Sequence, residues 1–412
     1  MLSRRFTFFC LSPMRHRPLI IAGILEICAL ILANMHAMGG IRTDEAKYLL
    51  NIPYPHPPFF RTLMNLTEWL PFQEMLWRTL LATALLQAVW LVWDMGRDLS
   101  EEKRIALAGG WLLSGGVILQ AGVIMLAPVT ALFGIVFLWL LHRAELVQRY
   151  SGLVAILWLI SLLSSFQAFL YLPIVWMIFR RAQLSFRQTS IFLLLPVILL
   201  ILCTISNPLS LATIVIHSSE GARVSSSADF LARFSGVFRL WLAAGGMMIG
   251  LVGTWGIVSS RNFPLIASFA LVILYCTLSI PYPFYAILFC PFFVAGIHSF
   301  LQKSRRWETF PLLATFAAGA VVISFLYFPD LTPGASREVM QAIRAQAETG
   351  DILIAGSFGH DWQYESIFPV RRFVPSALGN AQAVICLSEC GNIDDRGWKR
   401  LPGVSVEVWV RR

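Results

Sequence analysis

A polytopic α-helical membrane protein with a small α/β module at its C-terminal end is the fold class this sequence predicts, and three observations predict it. Of 412 residues, 57% are hydrophobic and 13% charged, against roughly 45–50% apolar residues in a soluble domain. Apolar runs recur along residues 1–328, each near the length of about 20 residues that crosses a ~30 Å hydrocarbon core. After position 328 the pattern changes to short alternating strands and polar turns.

The predicted spans lie near 17–38, 72–93, 105–122, 123–142, 152–165, 166–179, 189–205, 235–258, 263–280, 283–300 and 309–328. Basic residues flank them as the positive-inside rule asks. Arg4, Arg5, Arg15 and Arg17 precede the first span, Arg97, Lys103 and Arg104 follow the second, and Arg143 and Arg149 follow the fourth. Arg180, Arg181 and Arg187, then Arg261, then Lys303, Arg305 and Arg306 continue the series. All fall on one side, assigned to the cytoplasm together with the N-terminus. About eleven crossings then put the C-terminus outside, in a multi-pass protein of the plasma (inner) membrane. The first apolar stretch has span length and no small-x-small cleavage site after it, so it reads as a retained helix. Residues 1–328 thus form the membrane domain, with outer loops at about 39–71 and 206–234.

The outer module, 329–412, opens on the linker Pro329-Asp330-Leu331-Thr332-Pro333-Gly334. A capped helical pattern covers 336–346, a strand closed by glycine covers 351–356, and further strands cover 383–387 and 404–410. A unit of this size is just large enough to keep a core, and docking on the membrane part is expected.

The net charge of +9 belongs to the membrane domain, where 23 Lys/Arg stand against 13 Asp/Glu, while the module holds 9 against 10. These cations are spread over short loops and form no stripe, which argues against a nucleic-acid partner and for membrane lipids. Cys10, Cys28, Cys203, Cys276 and Cys290 sit in or beside spans as soft filler. For Cys386 and Cys390 two readings stay open: a bridge formed outside the cytoplasm, or zinc ligands with His360 and Asp361, a set without a recognisable ligand spacing. Glu26 stands inside the first span, where a charge costs about 2.5–3.5 kcal/mol, so it is expected protonated or hydrogen-bonded between helices. Gly246-Met247-Met248-Ile249-Gly250 is a G-x-x-x-G step expected to serve packing within the bundle.

The chemistry is expected in the first outer loop, where Thr43-Asp44-Glu45-Ala46-Lys47-Tyr48 is followed by Tyr54-Pro55-His56-Pro57-Pro58. An acidic pair at a membrane interface is costly to keep unless it is solvated or used. If Asp44 opens a short helix, Tyr48 shares its face at i+4 while Glu45 points about 100° away, so one carboxylate faces a substrate and the other anchors the loop. The prolines deny regular structure around His56 and hold it on a stiff path. A solvated loop whose acids merely cap a helix is the competing reading.

The acidic pair with a tyrosine three residues on, then the aromatic-x-His-Pro-Pro step, resembles the first outer loop of the GT-C glycosyltransferases, in the protein O-mannosyltransferase and aminoarabinose transferase group. The run Leu126 to Ala144, entering its span through Pro128 and ending on Arg143-Ala144, is similar to the same group. The resemblance implies an enzyme that takes a sugar from a polyprenyl-phosphate donor on the outer face. It passes that sugar to a hydroxyl of a lipid, glycan or protein acceptor with inversion at the anomeric carbon. Asp44 is then the candidate general base, with Glu45 its neighbour in the catalytic pair, and no metal or other cofactor is required. A single displacement needs one carboxylate at the acceptor and cations or dipoles at the leaving phosphate.

The sequence departs from that pattern in three places. The loop between Tyr48 and His56 is short, Ala127-Pro128-Val129-Thr130 lacks the acid that many relatives carry there, and Ser279-Ile280-Pro281-Tyr282-Pro283-Phe284-Tyr285 lacks a preceding base. The donor-phosphate clamp is therefore open among Arg61, Arg223, Arg233, Arg239 and His56, Arg being suited by its two-pronged geometry. Tyr48, Tyr54, Tyr282 and Tyr285 complete the candidate substrate-binding set. A transporter or flippase of lipid-linked intermediates, or an inactive relative serving as a binding subunit, are the alternatives; no inverted repeat favours the first.

Overall fold

The computed structural model describes residues 17–52, 56–206, 227–279, 282–305, 308–327, 335–346, 350–390, 393 and 397–411. Helix α1 (Arg17–Met38) is apolar all round and stops at Gly39-Gly40, where Gly40 takes φ +80°. Two short helices, α2 (Thr43–Leu49) and α3 (Pro58–Asn65), fold the loop that follows α1. Proline opens α3 without loss, because the first-turn N–H has no helical partner anyway.

Helices α4 (Gln73–Gln87) and α5 (Val89–Met95) make one apolar stretch, and α6 (Glu101–Leu112) and α7 (Gly115–Gln120) a broken one. There follow α8 (Leu126–Leu141), α9 (Ala144–Arg149) and α10 (Ser151–Ser164), then a 3₁₀ segment at Phe166–Tyr171 leading into α11 (Leu172–Arg181). After α12 (Phe186–Ile205), α13 (Ser227–Ser260) and α14 (Phe263–Leu278), a second 3₁₀ segment at Pro283–Phe289 runs into α15 (Cys290–Lys303), and α16 (Thr309–Tyr327) ends the bundle.

Among the described residues six stretches are long and apolar enough to cross a membrane: Pro18–Met38, Gln73–Met95, Phe186–Ile205, Asp229–Ser260, Pro283–Lys303 and Thr309–Leu326. Helices α8, α10 and α14 are apolar but shorter. The two remaining expected spans, 105–122 and 166–179, coincide with α6–α7 and with the 3₁₀ segment before α11, each of which changes geometry midway.

Packing centres on α15, whose Phe292, Phe293, Val294 and Ile297 have no exposed surface. Helices α13 and α15 meet at glycines: a Cβ on Gly296 would stand 1.8 Å from the Gly253 carbonyl oxygen, and one on Gly256 equally close to that of Gly296. The G-x-x-x-G step expected to pack helices lies just before this crossing and does pack: a Cβ on Gly246 would stand 2.9 Å from Ile323 Cδ1 of α16. Gly246 takes φ +60° and breaks α13 into two helical halves, while Gly250 makes room for the Trp241 ring. Glu26 is hydrogen-bonded between helices, accepting from the Thr83 hydroxyl of α4 at 2.9 Å.

The module begins with α17 (Ala335–Arg344) and continues through β1 (Asp351–Ala355), α18 (His360–Glu365), β2 (Val370–Arg372), β3 (Ala381–Cys386), β4 (Trp398–Arg400) and β5 (Glu407–Arg411). Its sheet has the order β2-β1-β3-β5-β4, with β1 parallel to β2 and β3, and β5 antiparallel to β3 and β4. Strand alternation sorts the core: Ile352, Ile354, Ala383 and Ile385 meet Val339, Met340 and Ile343 of α17, while Leu353 and Val384 face Trp398 on the other side. Cys386 and Cys390 are joined in a disulfide, which removes both as zinc ligands.

Candidate active site

The acidic pair divides on α2. Glu45 is buried and meets Arg78, a fully buried residue one turn into the apolar stretch of α4–α5. Every N–H of that guanidinium is used: Nη1 donates to Glu45 Oε1 (2.8 Å) and the Gly122 carbonyl (3.0 Å), Nη2 to Glu45 Oε2 (3.2 Å) and the Gly40 carbonyl (3.4 Å), and Nε to Glu74 Oε1 (2.9 Å). Glu45 also accepts from the backbone N–H of Arg42 and of Ile124, each at 2.9 Å. Burial by itself would raise the Glu45 carboxyl; the Arg78 charge and hydrogen bonds, with Arg42, outweigh it and hold the group at about 2. Glu45 is thereby an ionised anchor that ties α2 to α4 and to the turn before α8.

Asp44 lies about a third exposed on the next position round α2 and pairs with Lys47 Nζ at 2.7 Å. It shares no hydrogen bond with Arg78 among the described residues, so it keeps a carboxylate oxygen for other partners. Tyr48 is buried, stacked beside His56 at 6.3 Å between ring centroids and edge-on to Phe60 at 5.9 Å. Arg61 reaches back to the Ile52 carbonyl at 3.5 Å. Tyr54 and Arg223 lie outside the described residues.

A cavity of about 580 Å³ opens beside this loop. Arg42, two residues before Asp44, forms one wall; Gln120 of α7, Arg239 of α13, and Pro283 and Phe284 form others. Arg239 was among the clamp candidates, and Arg233 of the same helix instead donates to the Leu278 carbonyl at 2.8 Å. Gln120 is buried, donates from Nε2 to the Pro283 carbonyl (3.3 Å), and leaves its Oε1 without a hydrogen-bond partner among the described residues. Behind Phe284 the rings of Tyr282 and Tyr285 pack on it at 5.2 and 4.7 Å. Tyr285 accepts from the Tyr275 hydroxyl (3.2 Å), which accepts from Gln167 (3.1 Å). Thr130, which stands where an acid was missed in the sequence, is the next group in that chain, 3.4 Å from Gln167.

Solved structures have this arrangement of helices. ArnT from Cupriavidus metallidurans bound to undecaprenyl phosphate matches with a TM-score of 0.67 over 95% of this chain and 97% of that one, at 11% sequence identity. The apo state of the same protein gives 0.65 over 97% and 98%, at 12% identity. The chain has the GT-C fold. No family model and no curated protein sequence matches it.

On this GT-C framework three residues matter that the sequence reading did not single out. Arg78 was hidden in an apolar window, although Glu74 at i−4 signalled a paired cation. Arg42 stands two residues before the acidic pair and was open to notice. Arg337 of α17 has no sequence signal, because its partners are distant along the chain: it donates to Glu74 Oε2 (2.7 Å), to Glu365 Oε1 (2.8 Å) and to the Ala37 carbonyl.

Proposed function

We propose that the protein is an integral membrane glycosyltransferase, moving a sugar from a polyprenyl-phosphate donor to an acceptor hydroxyl on the outer face of the plasma membrane by inverting single displacement. The membrane domain crosses eleven times and the module lies outside. Asp44 is the base: it takes the acceptor proton as the acceptor oxygen attacks the anomeric carbon, and the C1–O bond to the phosphate breaks with its electron pair leaving on phosphate. Arg42 and Arg239, from opposing elements of one cavity, meet the leaving phosphate, and Tyr282, Phe284 and Tyr285 supply an aromatic flank of the kind that sugars and prenyl chains pack against.

The observation that carries this reading is the division of labour on α2. Glu45 is locked by Arg78, which fixes the helix, while Asp44 remains accessible two residues from a cavity-lining arginine. The fold likeness to a protein solved with undecaprenyl phosphate supports the donor class. The test is transfer of labelled sugar from a polyprenyl-phosphate donor by purified protein, together with mass spectrometry of lipid that co-purifies. Absence of both turnover and any co-purifying prenyl phosphate would overturn the proposal.

A further inference from the structure

We infer that the C-terminal module clamps the outer loop, with Thr43, Gly359, Asp361 and Arg337 acting as positioning residues for Asp44; the role of Asp44 itself rests on the function proposed above. The contact is specific. Thr43 Oγ1, on the residue next to Asp44, donates to Asp361 Oδ1 of α18 at 2.7 Å. Gly359 presses on the same threonine: a Cβ there would stand 2.1 Å from Thr43 Oγ1 and 2.7 Å from its Cγ2. Gly359 has φ −100° and ψ −177°, a backbone any residue adopts, so its missing side chain serves the space shared by Thr43 and Asp361 Oδ1, which a Cβ would approach to 2.6 Å.

Arg337 closes the clamp from the other side. One guanidinium joins the carbonyl of Ala37 at the end of α1, Glu74 at the start of α4, and Glu365 at the end of α18. Glu74 gives its second oxygen to Arg78, which holds Glu45. A continuous run of charges, Glu365-Arg337-Glu74-Arg78-Glu45, thus leads from the module to the helix that carries Asp44. Burial and the two carboxylates act in opposite directions on Arg337, and the carboxylates prevail, keeping it firmly charged. Fixing a reacting group in position is worth much of a barrier, and sub-ångström looseness is felt in the rate.

Hydrogen–deuterium exchange of the full-length protein tests this with or without turnover. Gly359→Ala is expected to speed exchange of the α2 amides about tenfold or more, the usual cost of overpacking, while β1 and β3 stay protected. Thr43→Ala removes two of the three clashing atoms and releases the third, Asp361 Oδ1, from its threonine partner so that this side chain can turn away. The double variant should fall back close to the level of Thr43→Ala alone, about threefold above wild type for one lost hydrogen bond. Where the protein turns over, Gly359→Ala should lower kcat and leave the affinity for undecaprenyl phosphate unchanged. Wild-type exchange of α2 in Gly359→Ala, or no recovery in the double variant, overturns the clamp. If Gly359→Ala also exposes β1 and β3, Thr43→Ala decides alone: unchanged α2 exchange overturns the inference and faster exchange supports it. A wild type with neither sugar transfer nor a co-purifying prenyl phosphate sinks the proposed function, and the exchange data still judge the clamp.

Discussion

Ion pairs stand at both ends of the helical bundle, and they differ in kind. Toward the loop after α1, Arg78 and Glu45 have side chains 1% and 2% exposed and no unused donor on the guanidinium. Toward the basic loops, Asp94 pairs with Arg143 and Trp139, and Asp98 with His298 and Gln302, with Asp94 and Asp98 35% and 47% exposed. Breaking one member of a buried pair strands a charge away from water, whereas an exposed carboxylate that loses its partner is resolvated. The first end therefore commits the backbone around α2 to one geometry; the second trims the surface.

The largest effect should come from the residue that the buried network frees. Asp44→Asn keeps size and the Lys47 hydrogen bond but removes the base, so the chemical step should slow by about 10²–10⁴. Steady-state turnover measures it, and a near-normal rate would transfer the role elsewhere. Arg78→Met fills similar space but leaves the buried Glu45 without its cation and Glu74 with Arg337 alone, which should cost about 3–5 kcal/mol of stability in denaturant unfolding. A loss below about 1 kcal/mol, the range of surface pairs, would erase the difference between the two ends.

Acid sharpens the contrast further. The folded Glu45 carboxyl is depressed to about 2 against about 4.3 in an unfolded chain. Its contribution is thus complete above the unfolded value and is lost as pH falls from there through about 2. The stability gap between wild type and Glu45→Gln should close across that window, and a gap that persists at its lower end would contradict the assignment. The smallest change is expected at the other end, where Asp98→Asn should alter stability by less than about 1 kcal/mol.

Much of this was legible in the sequence, for reasons that separate cleanly. Long apolar helices such as α1, α12 and α16 announce themselves because length and composition suffice, and β1, β3 and β5 because alternating or continuous apolar residues end at turns. Strands β2 and β4 have three residues each and exist only through pairing with β1 and β5. The packing role of Gly246 was legible as a G-x-x-x-G step, but the break it also makes was not, because glycine serves both ends and only φ reveals the second. Asp44 and Glu45 were visible as a pair, yet which one faces inward was set by Arg78 and Ile124, from α4 and the turn before α8. Arg337 was invisible because its meaning is wholly tertiary. Thr43 is the same case: nothing near it in the chain foretells Asp361.

The broken helix α13 also bears on how the protein lives with bilayers of different thickness. As one straight rod Ser227–Ser260 would be about 51 Å long, far beyond a ~30 Å hydrocarbon core, and such an excess is normally absorbed by tilting the whole helix. Here the half after Gly246 is pinned to α15 through Gly253 and Gly256, and the half before it meets α7 at its inner end, where Ala243 lies against Gly115. Its start, with Phe230, Leu231 and Phe234 exposed, is the part expected to take up tilt. That half carries Arg239. Lipid chain length should therefore register first at the cavity wall and leave the packed centre untouched, making the surrounding membrane a tuning variable for this site.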